Sequence, residues 1–199
     1  AMEFFFAQVM ENWHIWFVTL ALVVAAIIDG IQLKVPNWLT FPFILSGWAY
    51  SMFAFGLAGD GWLTGLGVSL LGTFVGLALL MPAYAIGGMG AGDVKLLAGV
   101  GAWVHVQSTF YGFCLSAIVG AILAVAMVLI SRSWTKHKSQ FFSILNEIMV
   151  IRNPETLASI AAERKSRMML LPYGIPIAIG CIMYFAWAGL LVDTTTTAM

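Results

Sequence analysis

The sequence predicts an all-α fold: a polytopic integral membrane protein of six transmembrane helices, with a cytoplasmic amphipathic helical segment between the fifth and the sixth. Three observations predict it. Hydrophobic residues make up 61% of the 199 and charged residues 9%, with a mean hydropathy of +0.96, where ordinary globular domains carry about 25% charged residues. Six stretches are apolar over, or nearly over, the roughly 17–25 residues a helix needs to cross a bilayer. The positive charges gather in alternate connections between those stretches, as they do in membrane proteins. The same composition excludes disordered and nucleic-acid-binding classes. Both need charge, and here nine Lys/Arg balance nine Asp/Glu. The chain reads as one membrane-embedded domain over 1–199, with 131–169 as an insertion within it.

The first span is expected from about Trp13 to Leu33, the second from about Leu39 to Leu57 and the third from about Trp62 to Ile86. The fourth is short. Val94 to Val104 is apolar, but at about 1.5 Å per residue it covers only some 16 Å of a 30 Å core. To cross, it must extend back through Gly92 and Asp93 toward Gly88, which puts Asp93 inside the membrane thickness. The fifth runs from about Ser108 to Ile130 and the last from about Leu170 to Val192. Gly61, Gly65, Ser69, Gly72 and Gly76 recur at helical spacing on the third span, and Gly112, Ser116, Gly120 and Ala124 on the fifth. Small residues so placed let helix backbones approach closely. In 131–169, Phe141, Ile144, Leu145, Ile148 and Ile151 recur at helical spacing, and Asn153-Pro154-Glu155 reads as a helix start. Two amphipathic helices are expected there against anionic lipid, either as support or in contact with a substrate.

Orientation follows from the cations. Lys34, Lys95, Arg132, Lys136, Lys138, Arg152, Arg164, Lys165 and Arg167 all lie in or beside connections that share one side of a six-span chain. That side is cytoplasmic by the positive-inside rule, and both termini are then extracytoplasmic. Trp13, Trp16, Trp62 and Trp103 fall near the outer ends of spans, and Trp38 and Trp134 near the inner ends. Glu3 and Glu11 occupy the place of a basic n-region, so no signal peptide is expected.

Two acids remain where a bilayer should exclude them. Asp29 closes the apolar run Ala21–Ile28, and Asp93 follows Gly87-Gly88-Met89-Gly90-Ala91-Gly92. An ionisable residue within a span is costly and is a functional candidate for that reason. Either aspartate alone also fits an interfacial residue or a helix cap. Together they bring two carboxylates to the same depth and side. Two carboxylates close together in a low-dielectric site share a proton. One then takes a proton from water while the other polarises a peptide carbonyl, which needs no metal. The glycines before Asp93 leave the backbone open to an extended peptide. Metal chemistry is not expected: His14, His105 and His137 lie at different depths, and Cys114 and Cys181 form no CxxC. No cofactor is implied. The other reading of the same carboxylates is a proton- or ion-coupled transporter, but no internal repeat accompanies them and neither lies at the midplane.

The motifs resemble a family. Gly90-Ala91-Gly92-Asp93, with Val94-Lys95-Leu96 after it, resembles the GxGD signature of type IV prepilin peptidases. Asp29, followed by Val35-Pro36-Asn37-Trp38-Leu39-Thr40, resembles that family's first motif, and Pro172-Tyr173-Gly174-Ile175-Pro176 resembles its entrance to the final span. GxGD by itself is shared with presenilin-type proteases; the three motifs in order are more specific. The resemblance implies an aspartic endopeptidase of the bacterial or archaeal cytoplasmic membrane. It would remove the basic leader, ending in Gly, from prepilin-like precursors at the cytoplasmic face, with Asp29 and Asp93 as the catalytic aspartates. The larger bacterial enzymes also carry a CxxC domain and N-methylate the new terminus. This sequence has no CxxC and so offers no basis for methylation. The short form resembles the peptidases of tight-adherence (Flp) pilus systems.

Supporting roles attach to the neighbours of the motifs. Lys95 is expected either to meet an acidic group of the mature substrate or to snorkel at the interface. Asn37 and Thr40 are expected to cap the second span. Pro172, Tyr173, Gly174 and Pro176 are expected to break the last span's regularity beside the aspartates, with Tyr173 hydrogen-bonding near the site.

Overall fold

A computed structural model describes residues 10–85, 88–130 and 172–191, and every regular element among them is helical. In chain order these are α1 (Trp13–Gln32), α2 (Asn37–Ala58), α3 (Trp62–Ala85), α4 (Ala91–Ile130) and α5 (Gly174–Trp187). The first three match the expected spans to within two residues at each end. The expected amphipathic helices of 131–169 lie outside the described residues. Helices α1 to α4 are long and apolar enough to cross a membrane, and α5 is a shorter apolar helix.

The expected fourth and fifth spans are one element, α4, bent at His105 (φ 61°, ψ −171°). That backbone region is almost reserved for glycine and costs of order 1–3 kcal/mol elsewhere. The bend interrupts the helical hydrogen-bond ladder, and within a bilayer the freed groups need partners from the protein. Ser69 Oγ donates to the Ala102 carbonyl at 2.6 Å and Ser51 Oγ to the same oxygen at 3.2 Å. Ser51 Oγ also meets His105 Nε2 at 3.1 Å, and Thr109 Oγ1 donates to the His105 carbonyl at 2.5 Å. Four polar side chains in an apolar bundle thus serve one break.

The leg of α4 before the bend, some 21 Å at about 1.5 Å per residue, is the centre of the bundle. Leu96, Leu97, Ala98, Val100 and Ala102 are fully buried. A helix apolar on all sides is one enclosed on all sides, which is why its shortness is tolerated. Helices α2 and α3 pack on this leg, and α5 packs on α4 and α1.

Glycine decides how close they come. A Cβ at Gly72 would collide with the Gly101 carbonyl, and one at Gly76 with the Leu97 carbonyl. On the other leg, a Cβ at Gly112 would lie 3.0 Å from Cys181 Sγ of α5. Gly65, Ser69, Gly72 and Gly76 on one face and Gly112, Ser116 and Gly120 on the other therefore lie at helix contacts, and Gly61 does not. Gly61 has φ 94° and belongs to the turn before α3. Gly72→Ala is expected to cost about 1–3 kcal/mol through backbone displacement, read as a lower melting temperature of the detergent-purified protein. Gly67→Ala, where a Cβ meets nothing within 4 Å, should leave it unchanged. Equal melting of the two variants would refute the close-packing account.

The outward faces stay apolar. Leu57, Leu63 and Ile130 are each 83% exposed, an arrangement suited to lipid and not to water. At one end of the bundle Trp13, Tyr50 and Trp103 form an aromatic cluster, Tyr50 stacking on Trp103 at 4.9 Å. Trp16 donates from Nε1 to the Leu191 carbonyl at 3.3 Å.

Candidate active site

The inward stripe of α1 is Ile15, Val18, Leu22, Ala25 and Asp29, spaced three and four residues apart. Asp29 is the last member of that stripe, so the periodicity that buries the leucine also buries the carboxylate. It is 2% exposed. Just beyond it the helix ends. Leu33 takes a left-handed conformation (φ 55°) and its N–H donates to the Asp29 carbonyl at 2.8 Å.

What receives the Asp29 side chain is the start of α5. The Gly174 N–H donates to Asp29 Oδ2 at 2.7 Å. The first N–H groups of a helix have no partner within it, and here a carboxylate supplies one, on the favourable side of the helix dipole. Residue 174 must be small: a Cβ there would lie 2.9 Å from Asp29 Oδ2 and 3.0 Å from Asp29 Cβ. The Pro172–Pro176 motif therefore starts α5 and does not break it. Pro176 sits in the first turn, where its missing N–H leaves no helical bond unmade.

Asp93 is 5% exposed and lies in the first turn of α4. Its Oδ2 accepts the Gly90 N–H at 3.0 Å. This is half of a capping box, the third helical residue reaching back to the residue that precedes the helix. Gly92 has a different task. A Cβ there would collide with the carbonyl of Val35 in the α1–α2 connection. The glycine-rich turn was expected to admit an extended peptide. At Gly92 the space is taken by the chain's own loop.

Asn37 is the first residue of α2, whose N-cap is Pro36 without a side-chain hydrogen bond. Asn37 is thus no cap, and Thr40 makes only a 3.5 Å contact with the Asn37 carbonyl. The Asn37 amide oxygen instead accepts from Lys95 Nζ at 2.8 Å, and that ammonium sits 4.6 Å from the centre of the Phe41 ring. The Tyr173 hydroxyl oxygen would be 3.2 Å from a Cβ at Gly120.

The residues singled out in the sequence therefore form one connected set. Gly174 holds Asp29, Tyr173 adjoins Gly174, the Gly90 N–H donates to Asp93, and Gly92 and Lys95 join α4 to the connection that follows Asp29. Pro172 accepts the Ile175 N–H at 3.2 Å and opens the turn. Val35, read only as part of the first motif, Phe41, not singled out, and Gly120, read only as a packing position, belong to the same set. Nothing in their residue types marks them; the first contributes only a carbonyl, and the others matter through what lies opposite.

An apolar groove of about 440 Å³ lies between α1 and α5, lined by Val23, Ala26, Ile27 and Gly30 of α1 and by Ile175 and Ile179 among others of α5. It runs up to the helix ends that carry Asp29 and Gly174. Among the described residues no cluster of three or more His, Cys, Asp or Glu is arranged to hold a metal ion.

The chain is 30% identical over 119 residues to a prepilin leader peptidase/N-methyltransferase of Aeromonas hydrophila, covering 56% of this chain and 39% of that one. It is 31% identical over 119 residues to the protein of the same name in Aeromonas salmonicida (strain A449), covering 56% and 38%. The match thus spans about two fifths of the length of these relatives. No solved structure matches the chain. Residues 16–125, which include both Asp29 and Asp93, match the type IV leader peptidase family, and the chain belongs to that family.

Proposed function

We propose that this protein is a membrane aspartic endopeptidase that removes the leader from type IV prepilin-like precursors, with Asp29 and Asp93 as the catalytic pair. The observation that carries the reading is the burial of both carboxylates in the family-matched region, each accepting one backbone N–H at a helix start. A helix start favours an ionised carboxylate, while two carboxylates in a low-dielectric site resist double ionisation. The pair then holds one proton. The ionised member takes a proton from water as that water attacks the scissile carbonyl. The protonated member donates to the carbonyl oxygen, and the proton gained is passed on to the leaving amine. Family membership does not favour the transporter reading of the same acids.

Counting the two legs of α4 separately and adding α5 gives six spans. Lys34 and Lys95 flank the aspartates, and the Trp13, Tyr50 and Trp103 cluster occupies the other end, so the aspartates face the cytoplasm. The substrate is a small precursor with a basic leader ending in Gly, of the Flp type, whose own apolar helix stays in the lipid. No cofactor or metal takes part.

The test is co-expression with such a precursor, with leader removal read as a shift on a gel. No shift with any prepilin-like precursor would end the proposal. The shared proton adds an expectation. Cleavage rate against pH should be bell-shaped, with two apparent pKa values that belong to the pair. A profile that stays flat from acid to alkaline pH would argue against a shared proton.

A further inference from the structure

We propose that the Asn37–Lys95 hydrogen bond is a positioning clamp that sets the separation of the Asp29 and Asp93 carboxylates; the proposal rests on the peptidase reading and deepens it. The two aspartates come from helices that are distant in the chain, and the α1–α2 connection joins them, while Gly174 of α5 holds Asp29 from the other side. From Asp29 the chain turns at Leu33, presents the Val35 carbonyl to Gly92, and reaches Asn37, which takes a hydrogen bond from Lys95. Lys95 is two residues from Asp93 on the same helical turn. Asp29, the connection, Asn37, Lys95 and Asp93 therefore lie on one path that crosses between segments through a single side-chain hydrogen bond.

That bond is built to hold its geometry. Lys95 Nζ reaches Asn37 Oδ1 at 2.8 Å while resting over the Phe41 ring at 4.6 Å. Asn37 and Phe41 are one helical turn apart on α2, so both partners of the ammonium are fixed to the same rigid segment. Two positions along a helix from Asp93, Lys95 is on a different face from the buried carboxylate. Its effect on the pair passes through the backbone. The backbone contact of Val35 with Gly92 sets how near the two segments lie, and the side-chain bond stops them sliding past each other.

The test uses the full chain, in detergent or in membranes, with a prepilin-like precursor. Asn37→Ala and Lys95→Ala are each expected to lower kcat roughly 10- to 100-fold with KM unchanged, the scale of a misplacement of about 1 Å. Asn37→Asp should restore most of the rate, because a carboxylate still accepts from the lysine. A raised KM with kcat retained would overturn the clamp and make Lys95 a substrate contact. A second arm needs no catalysis. Asp29→Cys and Asp93→Cys are combined with Cys114→Ser and Cys181→Ala, and the pair is joined with a short bis-maleimide. The cross-linked fraction, read by mass spectrometry, should fall several-fold when Asn37→Ala is added and recover with Asn37→Asp. An unchanged fraction would overturn the proposal. If the unsubstituted protein cleaves no precursor, the peptidase reading fails while this arm still decides the clamp.

Discussion

Asp29→Asn and Asp93→Asn are each expected to reduce leader removal by roughly 10²- to 10⁴-fold, the range of general acid–base catalysis, while the protein still inserts and folds. The amide oxygen of asparagine accepts a hydrogen bond as the carboxylate does. Gly174 keeps its partner at position 29 and Gly90 keeps its partner at position 93, bonds of 2.7 and 3.0 Å in the present structure. Only the exchangeable proton is lost. The substitution also takes a charge out of a bundle where an acid costs about 2.5–3.5 kcal/mol by insertion scales, so stability should hold or rise. The measurement is a precursor-cleavage time course on membranes with matched amounts of each variant, alongside melting temperature. Normal processing by both variants would remove the aspartates from the mechanism. Loss of the folded protein would instead give the acids a structural role.

Gly174→Ala is expected to have nearly as large an effect without touching either acid. The added Cβ would lie 2.9 Å from Asp29 Oδ2 and 3.0 Å from Asp29 Cβ. The second distance involves an atom fixed to the α1 backbone, so rotation of the carboxylate relieves only part of the clash. Either α5 shifts or Asp29 swings away, and both break the bond from the Gly174 N–H. A loss of roughly 100-fold in kcat follows if the carboxylate moves by about 1 Å. Gly30→Ala is the comparison. It is the immediate neighbour of Asp29, yet its Cβ would meet Ile175 Cδ1 at 3.5 Å, an ordinary contact with the flexible end of a side chain. Near-normal cleavage is expected there. Equal losses in the two variants would mean that any added methyl near Asp29 disturbs the site, and that the Gly174 contact has no special part.

Much of the helical arrangement was legible in the sequence because a bilayer leaves a chain few choices. Every backbone polar group must be satisfied within the segment, so an apolar run of sufficient length becomes a helix. The span expected from about Trp62 to Ile86 was predicted as a helix for that reason, and so was the shortness of the stretch around Val94–Val104. That the short stretch joins the next span through a bend at His105 was not legible. The bend is held by Ser51 and Ser69 from two other helices, and no local pattern in 100–110 announces them. Gly61 was grouped with the third span because spacing cannot tell a turn from the first residue of a helix.

The sequence by itself determined that two acids would be buried near one end of an apolar bundle. Asp29 ends a stripe of three- and four-residue spacing, and Asp93 follows a run of glycines that must open a helix. Those are local rules of helix periodicity and capping, and they act within a few residues. Only the tertiary structure decided what each acid touches. Gly174 reaches Asp29 across 145 positions and Lys95 reaches Asn37 across 58. Asparagine at the start of a helix suggests a cap, and proline beside glycine suggests a break, until a neighbouring helix claims the same atoms. A side chain's partner depends on which backbone lies opposite, and that is fixed by how closely Gly72, Gly92 and Gly101 let the helices approach.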